Sequence, residues 1–179
     1  MTGEEFAQLF TAQASYVGHS LRRLGVRGAD LEDLTHEVFL VVHRIWPTFD
    51  ATRPLRPWLF GVAFRVASDY RRLAYVARER ATDTADLSAP AVPTADPERE
   101  LQRNQTRAQI LRALEAIAID RRAVFILHEI DETPIPEVAA ALAIPLNTAY
   151  SRLRTARIEF KEAFVRLSRP FLSPEGARS

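Results

Sequence analysis

Between Asn147 and Arg157 the side chains able to bond another molecule fall on one side of a helix: Asn147, Tyr150, Ser151, Arg154 and Arg157. Ala149, Leu153, Ala156 and Phe160 fall on the other. A row of amide, hydroxyl and guanidinium groups suits base edges and phosphate oxygens in the major groove of DNA, where arginine can bind bidentately. This is the chemistry of recognition, in which no bond is broken. The plainer alternative is a helical hairpin whose basic face is simply solvated.

A second group lies between Asp30 and Trp46. Leu31, Leu34, Val38, Val42 and Ile45 make one apolar face; Asp33, His36, Glu37, Leu40 and His43 make another. An acidic face containing a leucine suits docking onto a basic partner surface, the alternative being a solvated face with one stray leucine. Asp33, His36 and Glu37 sit within one turn, but Leu40 stands where an HExxH site needs its second histidine, so no metal is expected. A third group mixes aromatics and arginines: Phe49, Arg53 and Arg56, then Trp58, Phe60, Phe64, Arg65, Tyr70, Arg71 and Arg72. Aromatic faces stack on unpaired bases while arginines hold the strand. Trp58 and Phe60 read instead as core. No nucleophile–base pair or phosphate loop is evident, so neither catalysis nor a cofactor is expected.

These groups need helices to hold them. Ile135, Val138, Ala139 and Leu142 make an apolar stripe at helical spacing, and Pro145 stops it. Asn147 or Thr148 then reads as the N-cap of the next helix, giving a helix-turn-helix. Earlier in the chain, Thr2 and Glu5 predict a capping box opening a helix that ends near Leu24. Asp30 predicts the cap of a helix to about Trp46, and another runs from about Pro57 to Arg80. Residues 81–96 carry Asp83, Asp86 and Asp96 with no basic residue, and read as a flexible acidic linker. Asp96 and Asp120 predict the caps of two more helices, ending near Ile117 and Ile130. Residues 170–179 read as a tail.

The expected fold is therefore all-α: two small helical domains, 1–80 and 97–169, joined by that linker. With 179 residues, 47% of them hydrophobic, the chain can bury a core. It has no cysteine, so disulfides and thiolate metal sites are excluded. A net charge of +1 does not mark a generic polycation. The N-terminus lacks a secretory pattern, and no apolar run approaches the roughly 20 residues that span a bilayer. A cytoplasmic protein without membrane insertion is expected.

Residues 30–72 resemble conserved region 2 of the extracytoplasmic-function (ECF) sigma factors of bacterial RNA polymerase. Residues 113–157 resemble their region 4, in the same order. The resemblance implies a factor that binds core polymerase and directs it to promoters; the alternative is a stand-alone helix-turn-helix regulator. It implies that Asp33, His36, Glu37 and Leu40 contact the β′ clamp of the core, with β also a partner. It places Phe49 and Arg65, with Arg53 in the adjoining loop, at the melted −10 element. Tyr150, Ser151, Arg154 and Thr155 would face bases of the −35 element, beside Asn147, while Thr148, Arg152 and Arg157 would hold phosphates. Most members of the family are held by an anti-sigma factor, so one is an expected partner. Family members usually carry glutamine at the position of His36, often asparagine at Arg65, glycine at Ala143, and Lys and Gly where Tyr150 and Asn147 stand. Promoter elements two helical turns apart are separated by about 70 Å. A linker of about 15 residues spans at most ~50 Å, and two domains supply the rest.

Overall fold

The computed structural model describes residues 2–78 and 97–168, and every regular element in them is helical. Its α-helices are α1 (Gly3–Leu24), α2 (Leu31–Ile45), α3 (Leu55–Arg78), α4 (Pro97–Glu115), α5 (Ile119–Phe125), α6 (Ile135–Ala141) and α7 (Leu146–Ser168). The all-α class is as expected. The segment read as a linker, the cap at Asp96 and the tail from 170 lie outside the described residues.

Helix α1 opens as expected. Thr2 Oγ1 accepts the Glu5 N–H at 3.2 Å, and the Glu5 carboxylate accepts the Thr2 N–H at 2.6 Å. These bonds hold the Glu5 carboxyl below its usual pKa. The helix closes at Gly25, whose φ of 95° lets the Val26 N–H return to the Leu21 carbonyl at 3.1 Å.

The other caps depart from expectation. A 3-10 turn, Gly28–Asp30, leads into α2, and the Asp30 side chain caps nothing. Its carboxylate instead accepts the Tyr70 hydroxyl of α3 at 2.6 Å. Helix α3 starts at Leu55, two residues ahead of Pro57; proline fits a first turn because its missing N–H would have no partner there. Asp120 lies inside the first turn of α5, after an Ala118 cap that uses no side chain. Helix α5 ends at Phe125 and passes into a π-helical turn, Ile126–Ile130, that apolar periodicity alone does not distinguish from more α-helix.

Helices α1, α2 and α3 pack on one another around Val17, Leu21, Val38, Phe39, Leu59 and Phe60. Helices α4 to α7 enclose Leu114, Val124, Leu127, Val138, Leu153 and Ala156. The two groups are continuous, because α1 packs on α4 and α5 and α3 packs on α6. Among the described residues no helix is long and apolar enough to cross a membrane.

Candidate nucleic-acid interface

The turn before the recognition helix is built on an alanine. Ile135, Val138 and Ala139 turn the inner face of α6 into the core. Past Leu142, Ala143 takes φ 53°, and the N–H groups of Ala143 and Ile144 fold back on the carbonyls of Ala140 and Ala139 at 3.3 and 3.0 Å. That double closure normally uses glycine, and an L-residue in this conformation costs ~1 kcal/mol or more. The Pro145 carbonyl then accepts the Ala149 N–H at 3.1 Å, so α7 begins at Leu146. Asn147 and Thr148 stand within its first turn and are not its cap, because Pro145 already provides the restart.

Helix α7 sorts its side chains as the spacing predicts. Ala149, Leu153 and Ala156 are buried, and the half-buried Phe160 stacks on Phe125 at 4.8 Å. Asn147, Tyr150, Ser151, Arg154 and Arg157 are exposed; Thr148, Arg152 and Thr155 are half-buried. The Thr155 hydroxyl donates back to the Ser151 carbonyl at 3.2 Å.

The arginines differ in a way the sequence does not reveal. Arg157 is held by Glu129 of the π-helical turn at 2.6 Å, and Arg152 reaches Asp120 of α5 at 3.4 Å. Arg154 makes no ion pair among the described residues. Arg121 grips Glu159 with two bonds, 2.7 and 3.0 Å, fixing α5 against α7. Among the described residues Arg154 is therefore uncommitted, whereas Arg152 and Arg157 each already lie on a carboxylate.

On α2, Asp33, His36, Glu37 and Leu40 are all exposed, Leu40 by 65%. A leucine this bare, bordered by acids, leaves apolar surface that a partner can cover. His36 is steadied by α1, its ring lying parallel to Phe10 at 5.6 Å.

Phe49 follows a 3-10 turn, Trp46–Thr48, and stands in an aromatic trio. Its ring is 5.2 Å from Trp46 and 4.8 Å from Trp58, all three half-buried. Trp58 touches Phe49 while its half-buried ring packs against the core, and Phe60 is fully buried in that core, both in line with the sequence reading. The part played by Trp46 is missed by sequence reasoning, although an aromatic three residues before Phe49 is a usable signal. In the following loop Asp50 accepts the N–H and hydroxyl of Thr52 at 3.0 and 2.6 Å and pairs with Arg53 at 3.5 Å. Those bonds hold its carboxyl below the usual range. Arg65 is exposed on α3.

A helix-turn-helix with a bare polar face, packed against a helical unit with an exposed acidic face and an aromatic–arginine rim, has the make-up of a DNA-binding protein. Comparison with known proteins makes this specific. Sigma-70 region 2 matches residues 9–76, and sigma-70 region 4 matches residues 107–159. The RNA polymerase sigma factor NccH of Alcaligenes xylosoxydans xylosoxydans is 28% identical over 156 residues, 85% of this chain and 82% of that protein. The ECF RNA polymerase sigma-E factor of Escherichia coli K12 is 25% identical over 142 residues, 74% of this chain and 72% of that one. Among solved structures, CnrH in complex with the cytosolic domain of CnrY superposes with a TM-score of 0.62 at 19% identity, covering 92% of this chain and 90% of that one. RpoE in complex with the anti-sigma factor NepR, from Bartonella quintana, gives 0.67 at 17% identity, covering 93% and 99%. The chain belongs to the ECF sigma factors, which direct promoter-specific transcription initiation. A stand-alone helix-turn-helix regulator accounts for the region 4 match alone.

Proposed function

We propose that this sigma factor divides its work between its halves. The domain at 1–80 docks on core polymerase through Asp33, His36, Glu37 and Leu40, and meets the melted −10 strand with Phe49, Arg53 and Arg65. The domain at 97–169 reads the −35 element with Asn147, Tyr150, Ser151, Arg154 and Thr155, and holds phosphates with Thr148, Arg152 and Arg157. Residues 81–96 link them. The observation that carries this reading is the face of α7: Tyr150, Ser151 and Arg154 are bare while the face behind them is sealed in the core. Side chains with no hydrogen bond or ion pair among the described residues, on a helix seated in the core, are available to base edges.

The work is binding, with no catalytic step and no cofactor. It takes place in the cytoplasm, where the polymerase is. An anti-sigma factor is a partner, as NepR is for the RpoE structure.

The test is run-off transcription with purified core polymerase and a promoter library. The chain is expected to confer promoter-selective starts that core alone lacks. Glu37→Lys reverses a charge on the docking face and should weaken core binding by ~1–3 kcal/mol in a titration. Unchanged affinity, with α2 still folded by circular dichroism, removes the docking assignment.

A further inference from the structure

The two tryptophans beside Phe49 pack on the hydrophobic core, and Phe49 itself does not. We propose that Trp46 is a positioning residue for strand opening: with Trp58 it forms a seat that holds the Phe49 ring ready for an unpaired base. The proposal rests on the reading of Phe49 as a residue that meets the melted −10 strand.

Trp46 holds Phe49 by backbone and by ring. It closes α2 and opens the 3-10 turn Trp46–Thr48. Pro47 follows and fixes the backbone within that turn. The Phe49 N–H then donates to the Trp46 carbonyl at 2.9 Å, and Phe49 leaves the turn in an extended conformation. The two rings stand 5.2 Å apart, inclined by 34°. Trp58, early in α3, lies 4.8 Å from Phe49 and meets Trp46 edge-on at 6.0 Å and 78°.

Each ring of the trio therefore meets the other two at separations where aromatic pairs attract. The indoles are anchored on the core, and they are the only aromatic neighbours of Phe49 among the described residues. A phenylalanine on an open surface exchanges among rotamers, and ordering it counts against stacking on a base. Seated against two fixed rings, Phe49 meets the base already ordered, and it keeps part of its surface exposed. The core contact of Trp46 can be made by any large apolar side chain. The flat face turned to Phe49 needs an aromatic one.

The test is promoter opening by the full chain with core polymerase. Trp46→Leu keeps apolar bulk and loses the flat face. It should slow opening of a duplex promoter by about three- to tenfold, the worth of one aromatic pair, with core binding and closed-complex formation unchanged. Trp46→Phe keeps a ring and should open promoters close to the wild-type rate. Because Trp46 acts through Phe49, adding Trp46→Leu to Phe49→Ala should cost nothing more. The chain has two tryptophans, so Trp58→Phe leaves Trp46 as the sole indole emitter of the free protein. In that background Phe49→Ala should move the emission to longer wavelength, as the indole loses its cover. An unmoved emission overturns the seat, and this measurement decides even where Trp46→Leu is too unstable to assay. Equal losses in Trp46→Leu and Trp46→Phe, or a further loss in the double variant, overturn the positioning role. A defect confined to Phe49→Ala overturns it too but leaves Phe49 at the melted strand; normal opening by both Phe49→Ala and Trp46→Leu takes down that reading as well.

Discussion

Arg154 and Arg157 lie three residues apart on one helix in different surroundings. Arg154 is exposed without an ion pair among the described residues, and Arg157 is already bound to Glu129. An arginine held by a carboxylate is oriented but not committed, since a phosphate offers the same two-pronged geometry. Arg154→Ala should relax preference at one or two −35 positions, by ~1–3 kcal/mol per lost contact to a base. Arg157→Ala should weaken all promoters alike and reduce the salt slope of binding by about one. A randomised −35 library titrated at two salt concentrations distinguishes them; the same pattern in both mutants would falsify this division of roles.

At the scale of elements, the turn between α6 and α7 keeps its left-handed residue without the usual glycine. Ala143→Gly should relieve that strain and stabilise the protein by ~1 kcal/mol in urea unfolding, leaving promoter preference unchanged. No stabilisation would mean that the turn relaxes the alanine by other means. The connection between α2 and α3 makes the opposite use of local structure, gathering Trp46, Phe49 and Trp58 into a half-buried cluster. Unpaired bases exist only after melting, and stacking is worth ~1–3 kcal/mol per base. Phe49→Ala should therefore spare the closed complex and reduce permanganate-reactive thymines near the start site. A pre-melted bubble should restore much of the loss, because unpairing is already done. Equal defects on bubble and duplex, with an unchanged melting temperature, would move Phe49 from opening to general strand contact.

For the whole molecule, the buried guanidinium of Arg122 is the decisive group. Burial, with the nearby Arg71 adding to it, pushes its pKa down to about 10, so it remains charged at neutral pH. A buried charge is tolerated only where its hydrogen bonds are complete, and Arg122 donates to carbonyls at the ends of α1 and α4. Arg122→Lys keeps the charge and loses the planar fork. It should destabilise the protein by about 3 kcal/mol in urea unfolding, since several carbonyls lose their donors together. A loss below about 1 kcal/mol would show that water replaces those bonds, as it does at exposed sites.

Features that depend on neighbours within a few turns can be read from the residues alone. Ile135, Val138 and Ala139 predict the inner face of α6, and Ala149, Leu153 and Ala156 that of α7, because helical periodicity is a local property. The Thr2–Glu5 box is local for the same reason. The order of the two matched regions was also legible. Features that depend on partners far along the chain emerge only once the helices pack. Asp30 looks like a cap, yet it serves Tyr70, which packing brings within 2.6 Å. Arg157 looks like a free phosphate ligand, yet Glu129 reaches it from the π-helical turn. Arg122 carries no local pattern of its own. Its role arises from carbonyls of other helices, and a carbonyl is the same in every residue, so the sequence holds no mark of which one a distant arginine will meet.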